Sequence, residues 1–202
     1  MRTIPEGFII PDFGATPTKA ASTDTEVAGG GGSYTGPRKL VLICSKGNLD
    51  MAYPGLILGN AAAGEGIEVH MFFTFWGLDI INKKTNKNLQ FTFVGNTAMH
   101  MPELGYLRPG LEHWSMPQWM SRIPFMTKIA TKMMRRQIAD LEVPTVPEFL
   151  NLLEAAGVNM WACRMSFDMM KVIEADLHPA VRGVISASDF MDLSVGAQTL
   201  FI

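Results

Sequence analysis

The sequence predicts an α/β fold, with a Rossmann-like parallel sheet of about five strands flanked by helices and a Met-rich insertion. Three observations support this prediction. Short, continuously apolar segments recur along the chain, as expected of strands that helices cover on both faces. Most of these segments are followed by one with helical periodicity, which is the pattern of a strand–helix–strand unit. Finally, 48% of the 202 residues are hydrophobic, enough for a substantial core.

The first strand–helix–strand unit lies at the start of the folded region. Lys39–Cys44 is a continuous apolar run and predicts an inner strand. Residues 49–63, mostly small and aliphatic, predict a helix with Pro54 in its first turns and Gly64 at its end. Residues 67–75 predict the second strand. Because a helix joins these two strands, they are expected to be parallel.

The same alternation resumes towards the carboxyl terminus. Residues 146–156 predict a helix that Gly157 closes, and residues 158–162 predict the third strand. Residues 167–177 predict a helix that ends before Pro179. Three short elements complete the predicted fold: a strand at residues 184–186, a helix at 188–194 and a strand at 198–202.

Two segments fall outside this alternation. Residues 1–37 are rich in Thr, Ser, Pro and Gly and predict a flexible N-terminal arm, so the folded domain is expected to span residues 38–202. No strand precedes the glycine run at residues 29–32, which is therefore interpreted as a linker and not as a phosphate-binding loop. Residues from about 82 to 143 form the insertion, and so long a departure inside a compact domain is usually functional.

Charge, cysteine content and missing motifs exclude several classes of function. The formal net charge is −2, which gives no overall attraction to nucleic acid. Two cysteines cannot form a disulfide framework and favour the reducing cytoplasm. The N-terminus lacks the pattern of a secretion signal, and no stretch is apolar for long enough to span a bilayer, so membrane association is the most that is expected. Without a phosphate-binding loop or dinucleotide motif, no cofactor is expected.

Cys163 is the most informative residue because it falls between the third strand and the helix that follows. Backbone N–H groups and the positive end of a helix dipole meet at such a turn and favour thiolate over thiol. Arg164 adds positive charge, Ser166 is predicted to cap the helix, and Asp168 favours its dipole. The alternative is that Cys163 is a small apolar residue of the core.

A pocket is expected around Cys163, because ligands of open parallel sheets gather at the carboxyl ends of the strands. Cys44 ends the first strand, and the second ends at Thr74, with Trp76 and Gly77 just beyond. If the first and third strands are neighbours, Cys44 and Cys163 approach disulfide distance. The alternatives are that Cys44 belongs to the core and that Trp76 packs the core or a subunit contact.

The insertion carries two further features. His100 and His113 lie among methionines, which are soft ligands suited to Cu(I), but their spacing matches no metal motif and a packing role is the alternative. The segment from Arg122 to Arg136 is basic and amphipathic, with Phe125 on its apolar side. Such a helix contacts an anionic membrane or an acidic partner, or else covers its own domain.

The chain resembles the DsrE/DsrF-like family, in its sulfur-carrier branch that is often labelled "peroxiredoxin family". The resemblance covers residues 38–202, including the insertion. It rests on three segments: Lys39–Asp50 with its Ser45-Lys46-Gly47, the Phe-Phe-Thr-Phe-Trp-Gly motif that ends at Gly77, and Cys163-Arg-Met-Ser-Phe-Asp168-Met-Met.

The resemblance implies a sulfur carrier or sulfurtransferase in which Cys163 accepts sulfane sulfur as a persulfide, or carries thiosulfate. It implies exchange with rhodanese-like proteins and TusA-like carriers, oligomerisation and no cofactor. Arg164, Met165, Ser166 and Asp168 would support the charged sulfur. The pocket would be formed by Cys44, Ser45, Lys46, Thr74, Trp76 and Gly77, with Cys44 standing where the family commonly has a small residue such as Ser.

Two other functions remain open at this stage. A thiol peroxidase or disulfide-redox protein would use Cys44 to resolve an oxidised Cys163, although no peroxidatic Thr-x-x-Cys pattern is present. A non-catalytic, oligomeric adaptor would dock its partners through the Met-rich insertion, and would not require Cys163 at all.

Overall fold

A computed structural model describes residues 38–96, 108–109, 115, 117, 119 and 123–202. The predicted arm, residues 1–37, lies outside the described residues, as do His100, His113 and Arg122. In chain order the elements are β1 (Lys39–Cys44), α1 (Leu49–Gly64), β2 (Glu68–Phe73), α2 (Leu78–Ile81), α3 (Met126–Asp140), α4 (Val146–Ala155), β3 (Asn159–Cys163), α5 (Arg164–Met169), β4 (Val181–Ile185), α6 (Ala187–Leu193) and β5 (Gln198–Phe201).

The five strands form one parallel sheet in the order β4-β3-β2-β1-β5, so the predicted α/β class is confirmed. The register aligns Cys44 of β1 with Phe73 of β2, and Phe73 with Ala162 of β3. The carboxyl ends of the three central strands therefore meet at one edge of the sheet. This edge is where an open parallel sheet holds its functional groups.

The condition for a close approach of Cys44 and Cys163, that the first and third strands are neighbours, is not met, because β2 lies between them. Two strand spacings amount to about 10 Å, beyond the Cα separation that a disulfide spans. The two cysteines also lie on opposite faces of the sheet. Cys44 packs with Leu42 on one face, whereas Cys163 packs with Phe72 on the other.

The two faces of the sheet differ in how they are covered. One face carries the main core, in which α1 and α4 supply the buried residues Ala52, Leu56, Phe149, Leu150 and Leu153. On the other face, among the described residues, α6 supplies the helical cover, and its Phe190 stacks on Phe72 with ring centroids 4.1 Å apart. Cys163 therefore lies under the thinner layer.

The helix after Cys163 begins and ends earlier than predicted. It starts at Arg164, not at residue 167, and it ends at Met169, where residues up to 177 were expected. Lys171 closes it in the left-handed conformation, with φ 52°. The N–H of Val172 then donates to the carbonyl of Phe167, the long bond of a Schellman ending. A short 3-10 turn, Glu174–Asp176, follows.

The basic segment of the insertion forms α3 and covers its own domain. The stripe that packs against the domain consists of buried Ala130 and partly buried Met126, Met134 and Ile138, which recur every four residues. Phe125 and Ile129, on the predicted apolar side, are exposed instead. Because the sequence offers two adjacent apolar stripes, periodicity alone selects the wrong one. Of the helices in the described part of the chain, none combines the length and hydrophobicity required to cross a bilayer.

Gly77 allows the chain after β2 to approach the end of β1. Its N–H donates to the carbonyls of Thr74 and Ser45, at 2.9 and 3.1 Å. A Cβ at this position would overlap the carbonyl oxygen of Cys44. We expect Gly77→Ala to lower the free energy of unfolding by about 2 kcal/mol in urea titrations, the usual effect of overpacking. Gly64→Ala, where a Cβ meets open space, is the control; equal effects of both substitutions would contradict the close approach.

Candidate functional site

Cys163 is the last residue of β3 and the N-cap residue of α5. Its backbone is extended, with φ −72° and ψ 122°, as is usual at a cap. The residue is only 4% exposed. The sequence predicts Ser166 as the N-cap residue of this helix. In the structure Cys163 is the N-cap residue, and Ser166 is the third residue of the helix.

The surroundings of Cys163 favour its thiolate. Burial acts to raise the pKa of this thiol, as it does for any charge removed from water. The backbone N–H of Ser166 and the hydroxyls of Thr74 and Ser166 act in the opposite direction, and the N–H of Met165 adds to them. The donors outweigh burial, so the pKa of Cys163 lies below its ordinary value. The neutral thiol itself makes no capping hydrogen bond, so the donors matter once charge develops on sulfur.

Thr74 and Ser166 form a hydroxyl pair beside the thiol. Their oxygens are 3.1 Å apart and share one hydrogen bond, in which either can donate. The N–H of Phe75 donates to the Ser166 hydroxyl oxygen at 2.8 Å. Of the two hydroxyl protons, one lies between the oxygens and the other remains for the sulfur. The pair can therefore exchange roles and still present one donor to a thiolate.

Ser166 also holds the turn after β2 in place. It is fully buried, and its bond to Phe75 joins α5 to that turn. Phe75 has φ 47°, in the left-handed region that a bulky residue rarely adopts. Strain of this kind persists only where surrounding contacts impose it, and it is concentrated at functional sites. The hydrogen bond from Phe75 thus holds this turn against Ser166.

Large apolar side chains are exposed on the chain segments that follow Thr74 and Cys163. Trp76 and Met165 are 64% and 61% exposed, and Phe75 is partly exposed beside them. Large apolar residues exposed at the edge of a reactive site are typical of a surface that a partner covers. Met165 and Trp76 were both predicted to belong to the site, and the structure places them on the chain segments that adjoin Cys163 and Thr74.

The other predicted site residues are exposed or make contacts of their own. Arg164 donates to the carbonyl of Val184 in β4, at 3.3 Å, and Asp168 and Lys46 are exposed. The Ser45 hydroxyl and N–H both donate to the carbonyl of Ile202, at 3.1 and 2.8 Å, so Ser45 holds the segment just after β5. Gly77 has the structural role described above.

Cys44 is a core residue, and the pKa of its thiol is shifted in the opposite direction to that of Cys163. Burial raises the pKa of the Cys44 thiol from 9.0 to about 12. Gly55 of α1 lies directly against it, since a Cβ on that glycine would be 2.9 Å from the sulfur. The alternative reading of Cys44 as a packing residue therefore fits the structure, and the predicted pocket loses this member.

The raised pKa of Cys44 predicts a loss of stability in alkali. The unfolded chain releases this proton near pH 9.0, whereas the folded protein keeps it until about pH 12. The contribution of Cys44 to the free energy of unfolding is fully present below pH 9.0. It declines as the pH rises from 9.0 to about 12. In urea unfolding at rising pH, Cys44→Ala should show a smaller decline than the wild type. Cys163→Ala, which removes a thiol of lowered pKa, should keep the full decline; the reverse pattern would contradict this assignment.

The sequence contains a signal for the role of Ser166 beyond helix capping. In Cys163-Arg-Met-Ser166 the serine is three residues after the cysteine. At the start of a helix, the side chain of the N-cap residue faces the N–H groups of the second and third helical residues. A Cys-x-x-Ser spacing at the end of a strand therefore predicts a thiol that faces both the N–H and the hydroxyl of the serine.

Comparison with known proteins places this site in a family context. Residues 37–201 match the model of the DsrE/DsrF/DrsH-like family. The chain is 36% identical over 153 residues to the sulfur carrier protein DsrE2 of Allochromatium vinosum, covering 76% of this chain and 91% of that protein. It is 25% identical over 165 residues to the uncharacterized protein YrkE of Bacillus subtilis, covering 82% and 97%.

Among solved structures, the ychN protein from E. coli aligns with a TM-score of 0.47 and 11% sequence identity, covering 82% of this chain and 99% of that one. The family match covers the described sheet and Cys163 together, and the similarity to DsrE2 extends over most of both chains. The chain belongs to the DsrE/DsrF/DrsH-like family.

Proposed function

We propose that this protein is a sulfur carrier that accepts sulfane sulfur, or thiosulfate, on Cys163 and passes it to the thiol of another protein. The observation that carries the proposal is the contrast between two buried cysteines at the same edge of one sheet. Burial raises the pKa of Cys44, whereas hydrogen-bond donors lower that of Cys163 despite its burial. The relative named as a sulfur carrier supports the same general role.

Loading requires a thiolate and no cofactor. The Cys163 thiolate attacks the outer sulfur of a donor persulfide, R–S–SH, and forms a new S–S bond. The donor S–S bond breaks, its electron pair leaves with R–S⁻, and the proton stays on the transferred sulfur. Cys163 then carries a persulfide. Attack on tetrathionate instead would release thiosulfate and leave a Cys–S–S–SO₃⁻ adduct.

The hydroxyl pair and the N–H groups fit both halves of the carrier cycle. During loading they stabilise the attacking thiolate of Cys163. During unloading, the thiolate of an acceptor attacks the outer sulfur, and Cys163 leaves as a thiolate that the same donors stabilise. Thr74 and Ser166 supply the hydroxyl donor in each direction, since either hydroxyl can donate a hydrogen bond to the sulfur.

The structure does not favour the two-cysteine redox function. Cys44 and Cys163 lie on opposite faces, with β2 between their strands. A disulfide between them would require the sheet to open, because β-strand neighbours hold them at about 10 Å. A carrier needs only Cys163, so its activity is compatible with a buried, protonated Cys44.

The exposed apolar residues near the thiol support a proposal for protein partners and for assembly. A donor and an acceptor of the rhodanese-like and TusA-like kinds would contact the apolar residues Phe75, Trp76 and Met165 to reach the sulfur. Exposed Met191, Val195 and Phe201, near the thinly covered face, support a homo-oligomer. A location in the cytoplasm, where thiols stay reduced, belongs to the same proposal.

Intact-mass spectrometry of the reduced protein tests the proposal. Incubation with polysulfide or tetrathionate should add whole sulfur atoms, or a thiosulfonate, to the wild type and to Cys44→Ala. Cys163→Ser should gain none of these adducts. A peroxide-treated sample distinguishes the redox function: a Cys44–Cys163 disulfide that forms in the native protein would overturn the single-cysteine carrier.

A further inference from the structure

We propose that His70 is a positioning residue for Cys163: it holds the indole of Trp161 against the apolar cluster that buries the thiol, and so limits access to the sulfur. The role rests on the proposed function, in which Cys163 carries the sulfur. His70 lies in β2 and is 5% exposed. Phe72, two residues further along β2, belongs to the same cluster as Cys163, so His70 points to the face of the sheet that carries the thiol.

Both ring nitrogens of His70 are paired, each with a different partner. Nε2 lies 2.7 Å from a carboxylate oxygen of Glu68, which can only accept, so Nε2 carries the proton. The indole N–H of Trp161 can only donate, and it donates to Nδ1 at 3.3 Å. The two partners therefore select the neutral imidazole with its proton on Nε2, because a charged ring has an N–H at both nitrogens and no acceptor.

Glu68 keeps the imidazole in this orientation. The hydrogen bond from His70 lowers the pKa of the Glu68 carboxyl, so the acceptor stays ionised. Lys39 of β1 lies 3.7 Å from the same carboxylate oxygen and adds positive charge. A hydrogen bond to an ionised carboxylate is stronger than one between neutral groups. The carboxylate thus orients the buried ring of His70, and this ring orients the indole of Trp161.

Trp161 extends across β3 on the face that carries Cys163. It precedes Cys163 by two residues in the strand, so the two side chains point the same way, and it packs against the apolar cluster that contains Cys163. Its indole N–H reaches His70 in β2, and its Cζ3 is 4.0 Å from the position of a Cβ on Gly183 in β4. The ring therefore covers β3 from one neighbouring strand to the other. Without the bond to His70, the indole can leave the cluster and expose the thiol.

Alkylation of the reduced, full-length protein by iodoacetamide measures access to Cys163 and needs no sulfur donor. His70→Leu removes the acceptor of the indole N–H. Because a buried thiol reacts through local opening, the loss of one hydrogen bond should speed alkylation of Cys163 about fivefold. Cys44, in the core on the opposite face, is the internal control and should react at an unchanged rate. An unchanged Cys163 rate in the folded variant, or an equal rise at both cysteines, would overturn the proposal.

His70→Gln distinguishes positioning from general support of the fold. Its uncharged amide offers one acceptor and a donor, so it should restore most of the wild-type alkylation rate. The indole N–H signal in NMR spectra, assigned with Trp161→Phe, should shift in His70→Leu and return in His70→Gln. His178 is also buried, and its Nδ1 accepts from the N–H of Ala180. His178→Leu should therefore leave the Cys163 rate unchanged. A His70→Gln protein that behaves like His70→Leu in both measurements would overturn the proposal.

Two outcomes keep this role separate from the sulfur chemistry and from the folding of a variant. If the wild type takes up no sulfur while His70→Leu still speeds alkylation, the carrier function fails and the positioning of Trp161 stands. If His70→Leu does not fold, ¹⁵N spectra of the wild type decide. They should show His70 protonated on Nε2 at neutral pH, and a ring protonated on Nδ1 would overturn the proposal.

Discussion

At neutral pH, iodoacetamide should alkylate Cys163 at least about fifty times faster than Cys44. The raised pKa of Cys44, about 12, makes its thiolate about a thousandfold scarcer than that of an ordinary cysteine with a pKa of 9.0. The higher intrinsic nucleophilicity of a more basic thiolate offsets only part of this difference. The thiolate of Cys163 is more abundant than that of an ordinary cysteine, since hydrogen-bond donors lower the pKa of this thiol.

Quenched alkylation followed by peptide mass spectrometry measures both rates in one sample. The same experiment in denaturant is the internal control, because the two thiols should then react at similar rates. Equal rates in the folded protein would contradict the assignment of Cys163 as the reactive thiol. Faster reaction of Cys44 would contradict the core position of that residue as well.

Ser166→Ala is expected to slow persulfide loading of Cys163 about tenfold at neutral pH. The substitution removes a hydroxyl from the pair beside the sulfur and leaves the N–H of Phe75 without its acceptor. The pKa of Cys163 should therefore rise. The plot of loading rate against pH should move to higher pH, and the rates of wild type and variant should converge in alkali.

This convergence distinguishes an electrostatic role of Ser166 from a purely structural one. If the serine only supported the fold, its loss would lower the rate by the same factor at every pH. Ser45→Ala is the matched control, since Ser45 lies at the same edge but donates to Ile202. A Ser45→Ala profile displaced like that of Ser166→Ala would contradict the role assigned to the hydroxyl pair.

The inner strand β1 could be predicted because it is short and apolar on both faces. Residues 39–44 needed no tertiary information, since such a run has few other stable arrangements. Strand order is different, because it depends on long-range pairing that no local segment specifies. The assumed contact between β1 and β3 failed for this reason, and the predicted approach of Cys44 to Cys163 failed with it.

The site could be predicted in outline from local sequence. Cys163 after an apolar run was sufficient to indicate a strand–helix turn, and Thr74 was expected at the same edge of the sheet. The contact between Thr74 and Ser166 joins residues 92 positions apart, so only the fold reveals it.

A complete transfer cycle, followed by intact-mass spectrometry, tests the sulfur-carrier function most directly. Reduced protein is loaded with polysulfide, freed of the donor, and mixed with a small acceptor thiol. We expect the sulfur mass to leave Cys163, the protein to return to its starting mass, and the acceptor to gain the sulfur as a persulfide. An adduct that forms equally on Cys163→Ser, or a wild-type mass that changes only by oxygen, would contradict it.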